Sequence, residues 1–146
     1  MVKAYLDTNI LIAAFIRAHP HHGPAIDLLD STRGGTLQAC ISTHGLAEFY
    51  SVATRTPFTP RVPPVEANRF LDDKIFPFFE IVPLTEADYR SVIGNCANAG
   101  MAGAVIFDAL HLCAARKAEC DRIYTFNVRH FRALASEDLA GKITAP

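Results

Sequence analysis

Short apolar runs that stop on polar residues recur along this chain, and each is followed by a stretch with helical spacing. That alternation constrains the fold more than any other feature. Val2–Leu6 is apolar and bounded by Asp7-Thr8-Asn9, so it reads as a buried strand running into a helix over Ile10–Arg17. His19-Pro20-His21-His22-Gly23 reads as a loop. Pro24 suits the first turn of a second helix, with Ile26, Leu28 and Leu29 as its apolar face and Gly34-Gly35 at its end. Thr36–Ile41 is a second strand, and Ser42 or Thr43 caps a helix to about Arg55. Thr56–Pro64 holds prolines 57, 60, 63 and 64 and reads as a loop. A helix over Pro64–Phe76 and a strand over Phe78–Leu84 follow. Thr85-Glu86-Ala87-Asp88 is a capping-box pattern opening a helix to about Ala99, which Gly100–Gly103 breaks. Ala104–Ala118 is a further helix and Asp121–Phe126 a further strand; the tail from Ser136 carries no pattern. Strands alternating with helices predict an α/β fold, a mainly parallel central sheet covered on both faces.

The length of 146 residues fits one domain, taken as residues 1–146. Half the residues are apolar and 20% are charged, which excludes a disordered chain, a coiled coil and a collagen-like fibre. Fourteen basic and fifteen acidic residues give a net charge of −1, so the chain does not bind nucleic acid by bulk charge. A local basic face is compatible with it. Cysteines 40, 96, 113 and 120 show no C-x-x-C spacing and sit among apolar neighbours, as reduced core thiols do. The acid at position 7 interrupts any signal-peptide pattern, and the apolar run Ile10–Ile16 is too short to span a bilayer. A soluble protein of the reducing cytoplasm is expected, with no membrane partner.

Most acids fall in solvated places; Asp7, Glu48 and Asp108 do not. Asp7 ends the first strand, at the sheet edge where open α/β folds bind ligands. Glu48 lies mid-helix in Leu46-Ala47-Glu48-Phe49-Tyr50, and Asp108 in the apolar start Ala104–Leu110. Taken singly, Asp7 is also good N-cap chemistry, Glu48 can reach solvent, and Asp108 suits a helix dipole. Taken together, carboxylates converging at a strand edge repel one another unless a cation sits between them. Oxygen ligands alone select Mg²⁺ or Mn²⁺ over zinc. Thr125 and Asn127, ending the last predicted strand, add a hydroxyl and an amide oxygen.

These residues resemble a known family. Tyr5-Leu6-Asp7-Thr8-Asn9-Ile10-Leu11 looks like the opening motif of PIN-domain ribonucleases. Ser42–Tyr50 around Glu48, Phe107–Leu112 around Asp108, and Tyr124–Phe131 around Asn127 follow in the family's order. The resemblance runs from Val2 to about Leu134. Small PIN proteins are most often VapC-type toxins of toxin–antitoxin pairs. The resemblance therefore implies a three-layer α/β/α sandwich and Mg²⁺- or Mn²⁺-dependent endoribonuclease activity. It also implies a homodimer and a VapB-type antitoxin as partner. Carried over by position, Asp7, Glu48 and Asp108 are the metal-binding carboxylates, and Asn127 stands with them in the catalytic set. Many members carry a fourth acid where this chain has Asn127, so its site would hold three formal negative charges.

Other residues are candidates to support the site or touch RNA: Thr8, Asn9, Thr125, His111, Arg129 and Arg55. His111 lies one helical turn from Asp108, where a satisfied structural histidine is the competing reading. Phe58, if exposed in the proline-rich loop, could stack a base. Phe76, Phe78 and Phe79 read as core, and His19, His21 and His22 as an exposed turn. Two rival functions are weighed. One is a phosphatase-like hydrolase with Asp7 as nucleophile; the pattern it needs has a second Asp where Asn9 stands. The other is a PIN-like scaffold that binds RNA or protein without cutting, which the three retained acids disfavour.

Overall fold

The computed structural model describes residues 1–146. Its spine is a five-stranded, all-parallel sheet in the order β3-β2-β1-β4-β5, formed by Val2–Leu6 (β1), Leu37–Ser42 (β2), Glu80–Val82 (β3), Arg122–Tyr124 (β4) and Ile143–Thr144 (β5). β1 is central because both its faces are apolar. Ala4 and Leu6 face one side and Tyr5 the other, all fully buried.

Helices cover both faces. α1 (Thr8–Phe15), α2 (His22–Arg33), α3 (Thr43–Arg55) and α4 (Pro64–Phe70) pack on the Ala4–Leu6 side. α6 (Val105–Lys117), α7 (Val128–Leu134) and α8 (Glu137–Ala140) pack on the Tyr5 side, and α5 (Glu86–Asn98) lies against α6. α4 widens after Phe70, where the Phe76 N–H reaches back five residues to the Leu71 carbonyl. The expected three-layer α/β/α sandwich is what the chain forms.

Several boundaries differ from the sequence reading, each for a local reason. α1 starts at Thr8 rather than Ile10, because Asp7 already takes the extended N-cap conformation. The third and fourth strands shrink to three residues each, the length over which a neighbour pairs with them. The tail from Ser136 holds a helical turn and the edge strand β5, docked through buried Leu139 and Ile143. Of the three phenylalanines read as core, only Phe79 is buried; Phe76 and Phe78 are exposed. Phe58 packs against the core instead of standing free.

The chain builds outward from β1 to β3, then returns to the other side of β1 for β4 and β5. The crevice beyond the carboxyl ends of β1 and β4 is therefore the point where the strand order reverses, the usual ligand position in such sheets.

Candidate active site

Asp7 follows β1 directly and keeps its parity with Tyr5, so its side chain leans toward α6. It occupies the N-cap position of α1 but makes no side-chain cap bond. Its carboxylate, almost fully buried, instead accepts a 2.8 Å hydrogen bond from Thr125 Oγ1. The Asp7 side chain therefore does not serve as the cap that Asp-Thr-Asn suggests. Thr125 stands just past β4 and is fully buried. Its hydroxyl also accepts from the Asn127 N–H at 3.0 Å and from Asn9 Nδ2 at 3.4 Å. Asn9 and Thr125 together tie the start of α1 to the end of β4.

Glu48 comes from α3, whose start is fixed by Ser42: its Oγ accepts from the Gly45 N–H at 2.9 Å. Glu48 Oε2 lies 2.7 Å from His44 Nε2, one turn back, and 3.1 Å from His111 Nε2. Burial pushes the Glu48 carboxyl up, but the hydrogen bonds from His111 and His44 outweigh it and hold it down at about 2.

His111 sits on α6 with no solvent exposure. Tyr5 donates its hydroxyl proton to Ser42 Oγ at 3.0 Å, and the Tyr5 oxygen lies 2.6 Å from His111 Nδ1. His111 Nε2 faces Glu48, Asp7 Oδ1 at 3.4 Å and Thr8 Oγ1 at 3.4 Å. Burial lowers its pKa, but the Glu48 hydrogen bond and the surrounding carboxylates more than reverse that, so it stands above the ordinary histidine value. His111 thus contacts the Glu48 carboxylate, the geometry that one of its two readings expects.

Asp108 lies in the first turn of α6, half-buried, with Oδ2 3.2 Å from His130 Nε2 of α7. Its carboxyl is raised by burial and by Glu48, against the lowering effect of His111 and His130. Asp7 is raised by burial, with Asp108 and Glu48 adding to it against His111 and Thr125. Glu48 therefore acts on both aspartates and Asp108 on Asp7, and a cation among them would favour the ionised form of the two raised carboxyls. The donors fit a hard divalent ion: carboxylate oxygens of Asp7, Glu48 and Asp108.

Asn127 is exposed at the N-cap of α7 and joins the site through its backbone N–H; Arg129 is exposed one residue into α7. Arg55 is not brought to the site. It ends α3 exposed, seven residues past Glu48, or about 10 Å along the helix. Sequence reasoning missed Tyr5 and His44. The signals were there: Tyr5 shares strand parity with Asp7, and His44 precedes Glu48 by four on one helix.

Comparison with known proteins follows the same line. A PIN domain profile matches residues 4–137. Ribonuclease VapC40 of Mycobacterium tuberculosis is 33% identical over 104 residues, covering 71% of this chain and 72% of that protein. Among solved structures, M. tuberculosis VapC20, described as a sarcin-ricin loop cleaving toxin, superposes with a TM-score of 0.71 at 17% identity. That match covers 92% of this chain and 97% of the other. VapBC2 from Rickettsia felis, bound to a DNA fragment from its promoter, gives 0.66 at 17% identity over 99% of both chains.

Proposed function

The chain belongs to the PIN domain family, and on that premise we propose that it is a divalent-metal-dependent endoribonuclease, the toxin half of a VapBC-type pair. The observation that carries the reading is the gathering of Asp7, Glu48 and Asp108 around His111 at the β1–β4 crevice, where the charge of Glu48 raises both aspartates. The relative VapC40 is named a ribonuclease and supports the same reaction class. A VapB-type antitoxin and a second copy of the chain are the partners this reading brings, and the cytoplasm is its setting. No helix is long and apolar enough to cross a membrane.

Asp7, Glu48 and Asp108 would hold Mg²⁺ or Mn²⁺. Such an ion lowers the pKa of a bound water and neutralises charge on a phosphate under attack. The chain's own residues supply placement. Thr125 fixes Oδ2 of Asp7, and Oδ1 lies 3.4 Å from His111 Nε2. His111 and His44 fix Glu48 from two directions. Asp108 is held from α7 by His130, and Arg129 beside it offers charge to a substrate phosphate. Asn127 contributes a neutral amide, so the site bears three formal negative charges. No side chain here is needed as a covalent nucleophile.

The test is cleavage of a mixed RNA pool containing tRNA, with Mg²⁺ or Mn²⁺, with EDTA, and with Asp108→Asn. Cutting that requires the metal and falls at least about a hundredfold in the variant, the scale of losing one group that stabilises transition-state charge, is expected. Equal cutting by wild type and variant would remove Asp108 from the site. No cutting by folded, antitoxin-free protein would favour the binding scaffold.

A further inference from the structure

His44, Glu48 and His111 present Nε2, Oε2 and Nε2 within 4.8 Å of one another. From this arrangement we propose that the chain carries a mixed imidazole–carboxylate site for a Zn²⁺-class transition ion, sharing Glu48 with the all-oxygen site of the nuclease reading. Two nitrogens and a carboxylate suit zinc and its neighbours, whereas Mg²⁺ prefers oxygen alone.

The distances are close to those of a bound ion. Ligand atoms at about 2.0–2.1 Å from a tetrahedral zinc lie about 3.3 Å apart. Here Glu48 Oε2 is 2.7 Å from His44 Nε2 and 3.1 Å from His111 Nε2. A small outward shift of the half-buried His44 opens the space. Asp7 Oδ1, 3.4 Å from His111 Nε2, is already at the spacing of a fourth ligand.

Both rings are set in place by neighbours, which distinguishes a built site from a chance cluster. With the Tyr5 hydroxyl donating to Ser42, its oxygen accepts the Nδ1–H of His111. That turns Nε2 toward the acids, the pattern by which histidine ligands are oriented through their other nitrogen. His44 stacks on Phe107 at 5.2 Å with the rings 15° apart. The two imidazoles lie 5.4 Å apart.

An ion held there occupies Glu48 Oε2, so it competes with the hard cation that RNA cleavage would use. This consequence rests on the nuclease reading; the binding itself does not.

The experiment uses the untagged full chain, freed of metal by chelation and titrated with Co²⁺. The expected result is one equivalent bound with the strong visible absorption of a tetrahedral centre, bleached by Zn²⁺ at far lower concentration than by Mg²⁺. His44→Gln should weaken Co²⁺ binding at least about tenfold, and Phe107→Ala, which removes only an exposed ring, should weaken it severalfold. Circular dichroism confirms that both variants fold. A missing tetrahedral band would overturn the site. So would equal binding by His44→Gln, which would put the ion elsewhere, for instance on His19 and His21. In parallel, Zn²⁺ should inhibit Mg²⁺-supported RNA cleavage, and His44→Gln should need at least about tenfold more. Tight binding with unaltered cleavage would overturn the competition while keeping the site. A protein that cuts no RNA but binds Co²⁺ as described would sink only the nuclease reading.

Discussion

Asp7 takes the backbone position of a helix cap while its carboxylate serves something else, and Thr125 is the reason. The Thr125 hydroxyl gives its one proton to Asp7 Oδ2, and both residues are buried. Thr125→Val keeps the shape and removes that proton. Metal affinity should fall about 10–100-fold, as when an outer hydrogen bond to a ligand is lost. Isothermal titration with Mn²⁺ would read it, and unchanged affinity would mean that Asp7 is not a ligand. The ionisable groups make a second residue-scale prediction, for the metal-free protein. Glu48 titrates at about 2 in the fold against 4.5 ordinarily, so its stabilisation is present above pH 4.5 and lost as pH falls toward 2. His111 is raised above 6.5, so its contribution is complete below pH 6.5 and fades as pH rises through the folded value. Asp7 and Asp108 are raised above 3.8, and their contribution likewise fades as pH rises through the folded values. The melting temperature should therefore peak near pH 4.5, where the Glu48 gain is complete, and decline toward pH 8. A melting temperature that climbs steadily from pH 5 to 8 would contradict it, and His111→Gln should flatten the alkaline side. The three acids were legible in sequence because each breaks an apolar context. Tyr5 and His44 were not, because an aromatic on a strand and a histidine in a first helical turn look ordinary until tertiary packing shows what they face.

At the scale of elements, α3 decides where Glu48 lands, and Gly45 lets α3 lie close against the end of β2. A Cβ on Gly45 would meet Ile41 Cγ1 at 2.6 Å and Cδ1 at 2.9 Å, and Ile41 is fully buried. Gly45→Ala should cost about 1–3 kcal/mol by overpacking. Gly94 is the control: it lies inside α5 with nothing within 4 Å of its would-be Cβ. Gly94→Ala should stabilise by about 0.4–1 kcal/mol through lower unfolded-chain entropy. Urea midpoints for the pair would show opposite signs; the same sign for both would refute the close approach of α3 to β2. Sequence showed β1, β2, α3, α5 and α6 well, since their apolar periodicity and caps are local. It could not show β5, where two residues gain strand geometry only by pairing with β4. Nor did it mark α7, seven residues long, with Phe131 its one buried side chain.

Across the whole molecule, the reversal of strand order at β1 and β4 brings residues 7, 48, 108 and 125 together from four segments. None of these segments has a reason of its own to bury charge. The sheet is covered on both faces and the net charge is only −1, so the acids at the crevice are a local concentration rather than a global field. A divalent cation held by such a concentration would bind the folded state alone, because unfolding disperses the carboxylates. Binding to the folded state alone stabilises by about 2.7 kcal/mol at a hundred times Kd. For a chain of this size that raises the melting temperature by roughly 5–10 °C. Raised Asp7 and Asp108 carboxyls are more fully ionised at pH 8 than at pH 5, so the rise with Mn²⁺ should be larger at pH 8. Differential scanning fluorimetry with and without Mn²⁺, repeated on Asp108→Asn, would measure it. The variant removes one like charge from the cluster, so it should melt higher than wild type without metal and gain less when metal is added. A variant that gains as much as wild type would place the cation away from Asp108.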